Sequence, residues 1–315
     1  MSNILLAIIG WDPKGWEQRF RTLAPQHDFH MWPEQVGDHA DIHYACVWNP
    51  PAGLLAEFPN LKAIFSLGAG ADELMADPKL PDVPIVRVVD SDLTMRMTEY
   101  VVLHVLMYHR GQRLYDAQQR ERLWREHDQP PASEVAVGIM GLGVLGTSAA
   151  WMLHRIGFKV SGWSRTQKTL PGIATFHGQG GLESFLRRAE ILVCLLPATP
   201  QTRGIINLDV LRKLRSSGAL RGAYLINAGR GSLQVDADIL AALEEGSLSG
   251  ATLDVFPIEP LSVASPFWDH PKVTITPHNA AQAVPNTIVI NVLRQIDRVE
   301  FGIPLENVVD RNRGY

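Results

Sequence analysis

Short apolar runs alternate with helical patterns from the start of the chain. Residues 4–9, 29–32, 42–48, 61–67 and 85–89 read as strands, each closed by Gly, Pro, Asn or Asp. The stretches between them are long enough for one helix apiece, which is the βαβ rhythm of a parallel sheet. A long helical pattern then runs over residues 98–124 with no Pro and a single Gly. Its first half is apolar (Val101, Val102, Val105, Leu106) and its second half is charged. That change predicts a helix leaving one domain and running over the surface toward another, or toward a second subunit. After a break at 128–131, a second series of strands follows at 135–140, 159–163, 191–195, 223–227, 251–255 and 273–275. A last amphipathic helix over 285–301 would pack back onto the first domain, making that domain discontinuous.

Composition narrows the class. The 315 residues are 46% apolar and 20% charged, a globular balance that excludes a disordered chain. A formal charge of −4 leaves no electrostatic footprint for nucleic acid. No apolar run approaches the roughly 18–20 residues that a membrane span needs. The apolar run at 4–9 is too short for a signal peptide and has no basic residue before it. The two cysteines, Cys46 and Cys194, cannot build a disulfide scaffold or a metal cluster, and no metal site is expected. A cytoplasmic protein is expected.

The strand at 135–140 runs into Gly141-Leu-Gly143-Val144-Leu145-Gly146, and a helical pattern follows at 147–156. A G-x-G-x-x-G between strand and helix is the context of a dinucleotide loop. Gly141 permits the tight turn, Gly143 lets backbone approach a pyrophosphate, and Gly146 lets helix and strand pack closely. The helix amides then meet the phosphates. About twenty residues on, an NAD site carries an acid for the ribose hydroxyls. Here Ser164, Arg165, Thr166 and Lys168 stand instead. Without the carboxylate a 2′-phosphate is not repelled, and Arg165 offers it a bidentate partner. NADP(H) is therefore expected, with NAD(H) as the alternative.

Three later strand ends carry chemistry. Asn227-Ala228-Gly229-Arg230-Gly231 places an arginine between glycines, Asp254-Val-Phe-Pro-Ile-Glu259-Pro260 places an acid, and Thr276-Pro-His278-Asn279 places a histidine. Open parallel sheets bind ligands at these ends. A cation, an anion and an imidazole there suit reduction of a 2-oxo acid, in which negative charge grows on the carbonyl oxygen and a proton must be supplied. His278 would be the general acid. Glu259 would hold its other ring nitrogen and stabilise its charged form. Arg230 would clamp the substrate carboxylate. Leu67-Gly68-Ala69-Gly70, small residues after a strand, would expose amides as an anion nest.

With these motifs in order, the chain resembles the D-isomer-specific 2-hydroxyacid dehydrogenase family and, within it, the bacterial glyoxylate/hydroxypyruvate reductase A branch. The resemblance spans Trp48-Asn-Pro-Pro51, Leu67-Gly-Ala-Gly70-Ala-Asp72, the dinucleotide loop, Trp163-Ser-Arg-Thr166, Leu195-Leu196-Pro197, the Arg230, Glu259 and His278 stretches, and the terminal Arg313-Gly-Tyr315. It implies an α/β protein of two doubly wound parallel-sheet domains. A Rossmann domain (99–280) carrying a long linking and dimerisation helix would be inserted in a discontinuous flavodoxin-like substrate domain (1–98 and 281–315). It also implies NADPH-dependent reduction of glyoxylate and hydroxypyruvate to glycolate and D-glycerate by a homodimer. Arg230, Glu259 and His278 match the family's substrate arginine and acid–histidine pair. Leu67 to Gly70 match residues that offer amides to the substrate carboxylate. Trp48 and Met95 fall where the branch lines its substrate pocket, and Leu196, Pro197, Ala228 and Asp254 join the loop residues as cofactor contacts.

Two positions depart from the family: Asn279, where an aliphatic residue is more usual, and Pro257-Ile258, where polar residues are. Formate dehydrogenases pair their histidine with Gln, so Glu259 speaks against them. Phosphoglycerate dehydrogenases usually carry an acid after the second strand. Corepressors that resemble the family bind partners without catalysis, but the whole catalytic set is retained here.

Overall fold

A computed structural model describes residues 2–282 and 284–314. Met1, Ala283 and Tyr315 lie outside the described residues, and with Tyr315 the last residue of the terminal Arg-Gly-Tyr motif. The chain divides into two compact units, one of residues 1–93 with 283–315 and one of residues 94–282.

The first unit holds β1 (Asn3–Ile8), α1 (Pro13–Leu23), β2 (Asp28–Met31), β3 (Tyr44–Trp48), β4 (Ala63–Ser66), α2 (Asp72–Met75) and β5 (Ile85–Val86). All pairs are parallel in the order β2-β1-β3-β4-β5, the flavodoxin-like arrangement. Alternate residues of β1 feed two cores: Ile4, Leu6 and Ile8 pack with Phe20 of α1, while Leu5 and Ala7 pack with Ile64 and Leu74. A sheet covered on both faces explains why its strands are nearly continuous apolar runs.

The chain then passes through α3 (Ser91–His109), α4 (Gln112–Arg120), β6 (Ala136–Met140), α5 (Val144–Ile156), β7 (Lys159–Ser164), β8 (Ala174–His177), α6 (Gly178–Leu186), β9 (Ile191–Cys194), α7 (Leu208–Arg212), β10 (Tyr224–Asn227), α8 (Asp236–Glu245), β11 (Gly250–Leu253), β12 (Val273–Ile275) and α9 (Pro285–Glu300). The seven strands β6 to β12 form a parallel sheet in the order β12-β11-β10-β9-β6-β7-β8. Ile191 and Val193 of β9 face one core and Leu192 and Cys194 the other. Strand order reverses at β6, so a crevice is expected outside its C-terminal end. Helix α9 belongs to the first unit, where Ile288, Val289, Val292 and Ile296 pack against β1 and α1. Two doubly wound parallel sheets, one of them a Rossmann sheet, are thus present as expected.

Two expectations need correction. The single helix over 98–124 is instead α3 and α4, broken where Gly111 takes a left-handed φ of 61°. The helix also starts earlier, at Ser91, with the Asp90 carboxylate accepting from the Leu93 amide. The edge strand β8 was not anticipated: its four residues are partly exposed and too few to show alternation. Among the described residues no helix is long and apolar enough to cross a membrane.

Candidate active site

In a parallel sheet every strand's C-terminal end lies at the same edge, and the predicted chemistry of the second unit follows those ends. Gly141 follows β6, Arg165 follows β7, Leu196 follows β9, Ala228 to Arg230 follow β10, Asp254 to Glu259 follow β11, and His278 follows β12.

The three loop glycines play different parts. Gly141 has φ 112°, and a Cβ there would lie 2.8 Å from the Leu195 carbonyl oxygen. A Cβ on Gly146 would lie 1.8 Å from the Gly141 carbonyl oxygen, so α5 can start under the loop only if this residue is glycine. Around a Cβ on Gly143 there is nothing within 4 Å. Its φ of −79° suits any residue, so the fold does not require glycine there. That open space lies at the N-terminus of α5, which has no side-chain cap and no acid in its first turn. Amides without partners facing a cradle that a side chain would fill are what a dinucleotide pyrophosphate needs. Val144 is exposed and Leu145 half-buried on that first turn.

After β7 the loop turns sharply. Ser164 is buried and its hydroxyl donates to the Thr166 carbonyl at 2.8 Å. Arg165, Thr166 and Lys168 are exposed. Leu196 and Ala228 are buried, and Pro197 accepts at its carbonyl from the Thr202 hydroxyl. The β10 loop passes so close to its neighbours that a Cβ on Gly229 would meet the Leu196 carbonyl at 2.9 Å, and one on Gly231 the Phe256 carbonyl carbon at 1.9 Å. Arg230 stands between these two glycines, half-buried, with Nη1 donating to the Gly229 carbonyl.

His278 and Glu259 meet: the imidazole Nδ1 lies 2.7 Å from Oε2. The other oxygen of Glu259 accepts from the Phe256 amide at 2.9 Å. Both side chains are partly exposed. The hydrogen bond to Glu259 raises the His278 pKa above its ordinary 6.5, outweighing burial, with the Arg230 charge opposing and the Asp254 charge assisting. Burial pushes Glu259 up, but hydrogen bonds from His278 and the Phe256 amide, with the charges of His278 and Arg230, leave it below the ordinary 4.5. The stabilisation from each follows by linkage. The His278 contribution is complete below 6.5 and is lost as pH rises through its raised pKa; that of Glu259 is complete above 4.5 and is lost as pH falls through its lowered one.

Asp254, read from sequence as a cofactor contact, is 2% exposed and takes up the amides of Asn279 and Ala280 and the Thr276 hydroxyl. This anchoring of the histidine loop was not anticipated. It also accounts for Asn279, which contributes its backbone amide and whose side chain need not pack. Among the described residues no cluster of His, Cys, Asp and Glu could hold a metal. Both cysteines are buried, and burial pushes the Cys194 thiol up to about 12.

In the first unit, Trp48 at the end of β3 stacks on Trp11 at 4.1 Å, and a Cβ on Gly68 would strike its ring. Part of the expected nest is already occupied. The Leu67 amide donates to the Val47 carbonyl and the Gly68 amide to the Ser66 hydroxyl, leaving those of Ala69 and Gly70. Met95 is exposed on the first turns of α3.

Residues 102–280 match the family described as D-isomer specific 2-hydroxyacid dehydrogenase, NAD binding domain. A glyoxylate/hydroxypyruvate reductase A of Yersinia enterocolitica is 39% identical, over 99% of this chain and all of that protein. An NADPH-dependent glyoxylate/hydroxypyruvate reductase of Sinorhizobium meliloti, solved with NADP and sulfate, is 44% identical with a TM-score of 0.95 over the full length of both chains. A probable 2-hydroxyacid dehydrogenase of Rhizobium etli, solved with NADP, HEPES and L(+)-tartaric acid, is 45% identical with the same TM-score and coverage.

The loop glycines make a paired prediction. Gly146→Ala lowers the melting temperature by more than about 5 °C, a cost of overpacking against backbone. Gly143→Ala leaves it within about 1 °C and weakens NADPH binding roughly tenfold. Differential scanning fluorimetry and titration of nicotinamide fluorescence read the two; equal destabilisation, or unchanged binding by Gly143→Ala, contradicts the assignment.

Proposed function

The chain belongs to the D-isomer specific 2-hydroxyacid dehydrogenases, and on that footing we propose that it reduces glyoxylate and hydroxypyruvate with NADPH, yielding glycolate and D-glycerate. The Glu259–His278 contact carries this reading. With Nδ1 held at 2.7 Å by a carboxylate, the imidazole keeps its proton to higher pH and directs Nε2 away from the pair. That nitrogen is the proton donor for the carbonyl oxygen. Arg230 lies close enough for its charge to act on both partners, and its planar guanidinium suits the substrate carboxylate.

The dinucleotide, when bound, supplies the hydride for the carbonyl carbon. Gly141, Gly143 and Gly146, with the amides of Val144 and Leu145, hold its pyrophosphate. Ser164 shapes the loop from which Arg165, Thr166 and Lys168 take the 2′-phosphate, and Leu196, Pro197 and Ala228 complete the cofactor contacts, while the buried Asp254, expected among them, instead holds the histidine loop behind them. The NADP held by the rhizobial relatives supports this choice. Within the first unit, the same reading gives the Ala69 and Gly70 amides an anionic group to bind and makes Trp48 an apolar wall. Exposed Met95 is a further substrate contact. A cytoplasmic homodimer is part of the reading; Leu103, Leu114, Leu123 and the fully exposed Trp124 are apolar surface suited to a second subunit.

Side-by-side assays of glyoxylate and hydroxypyruvate with NADPH and NADH test the substrate and cofactor together. NADPH gives the higher kcat/KM, and Arg165→Ala narrows the ratio about tenfold by raising the KM for NADPH. Equal loss with both cofactors would leave Arg165 a surface residue.

The pH profile tests the acid. In the reductive direction kcat/KM stays level at acid pH and falls as pH rises through the raised His278 pKa, because only the protonated imidazole donates. Glu259→Gln moves that falling limb to lower pH, toward 6.5, and lowers kcat on the order of a hundredfold. A limb that stays in place would remove Glu259 from the pair.

A further inference from the structure

We propose that Tyr100 is a positioning residue for His278, acting through Thr276 and Asp254. The inference rests on His278 being the acid and concerns what holds it in place.

His278 has φ 50°, a left-handed conformation that its β-carbon disfavours, so the neighbouring structure must impose it. Asp254 does so from both its backbone and its side chain. Its carbonyl accepts from the His278 amide at 2.8 Å. Its Oδ1 accepts from the Asn279 amide at 2.9 Å, and its Oδ2 from the Ala280 amide at 3.1 Å. Three successive residues of the loop are thus held by one aspartate.

Donor arithmetic then sets the direction of the remaining bonds. The Thr276 hydroxyl, 2.6 Å from Oδ1, donates to the carboxylate that also takes the Asn279 and Ala280 amides. That uses the single hydrogen of Thr276. The Tyr100 hydroxyl, 2.8 Å from the same Thr276 oxygen, must therefore be the donor in its turn. Burial raises the Tyr100 pKa, which keeps that hydrogen in place. The chain runs Tyr100 to Thr276 to Asp254, each donor strengthening the next.

The imidazole packed against Tyr100 adds no charge to this chain. His104, one turn further along α3, lies with its ring 4.3 Å from that of Tyr100, and burial lowers its pKa to about 4, so it is neutral. The charged groups acting on His278 itself are Glu259, Arg230 and Asp254. Tyr100 touches none of the reacting groups. It fixes the Thr276 hydroxyl on Asp254, and Asp254 then fixes the angle at which His278 meets Glu259.

The test uses the full-length protein labelled with ¹³C-histidine, the His278 resonance being assigned with His278→Gln. Tyr100→Phe and Thr276→Val each lower kcat about tenfold, the worth of one hydrogen bond on the order of a factor of ten, and change the KM for NADPH less than about twofold. In the substrate-free protein both move the His278 titration down toward 6.5. Thr276→Ser, which keeps the hydroxyl, retains wild-type kcat and titration, and the double variant Tyr100→Phe/Thr276→Val is no worse than either single one. Unchanged kcat and titration in Tyr100→Phe, whatever its melting temperature, overturns the proposal, as does additivity in the double variant. If the wild-type protein reduces neither 2-oxo acid while Tyr100→Phe still lowers the His278 titration, the substrate assignment fails and the positioning role stands.

Discussion

At the C-terminal edge of the seven-stranded sheet, successive loops run so close together that a methyl group cannot enter between them. The dinucleotide loop lies on the Leu195–Leu196 peptide through Gly141, and α5 starts beneath that loop through Gly146. The next loop lies on Leu196 through Gly229, and the Glu259 loop lies on it through Gly231. Backbone overlapping backbone transmits position from strand to strand with little slack, because close-packed groups do not deform continuously. Arg230 is aimed by the glycine on either side of it. Gly143 is the exception that defines the edge, since nothing in the protein requires it to lack a side chain.

On this rigid edge the charges oppose one another. Glu259 lies within the influence of two cationic groups, His278 and Arg230, and both hold it below the ordinary carboxylate range. Arg230 depresses the imidazole that Glu259 raises. A guanidinium nearby lowers the imidazole's hold on its proton, and the hydrogen-bonded carboxylate of Glu259 more than offsets it, so one edge carries both a guanidinium and an imidazole of raised pKa. Exposure limits these effects, since solvent screens the charges of half-exposed side chains.

Strands buried on both faces were legible in the sequence because their residues are mostly apolar or small, as in Ala136–Met140. The loops between them were legible through glycine spacing and through the three strand ends carrying Arg230, Glu259 and His278. The break at Gly111 was hidden because one glycine in a helical pattern does not announce a left-handed turn. The edge strand Ala174–His177 was hidden by its shortness. Least legible was the support of the histidine loop. Asp254 and Thr276 stand 22 residues apart and Thr276 and Tyr100 stand 176 apart, separations at which no local pattern survives. Asp254 could be seen to lie near the chemistry, but its service to three backbone amides depends on where two other elements pack.

The segment after β7 shows how the same economy extends to cofactor choice. The strand ends on Ser164, whose side chain is turned inward and satisfied by the Thr166 carbonyl. A buried hydroxyl bonded two residues ahead closes a tight turn and leaves Arg165, Thr166 and Lys168 outside it. An aspartate placed at residue 164 would carry a charge into a buried site that offers a carbonyl oxygen, an acceptor that a carboxylate cannot pair with. The turn thus disfavours an acid at residue 164 itself. With no acid at residue 164 and Arg165 and Lys168 exposed beside it, the segment offers positive charge with no repelling carboxylate, the setting that the proposed 2′-phosphate contact requires.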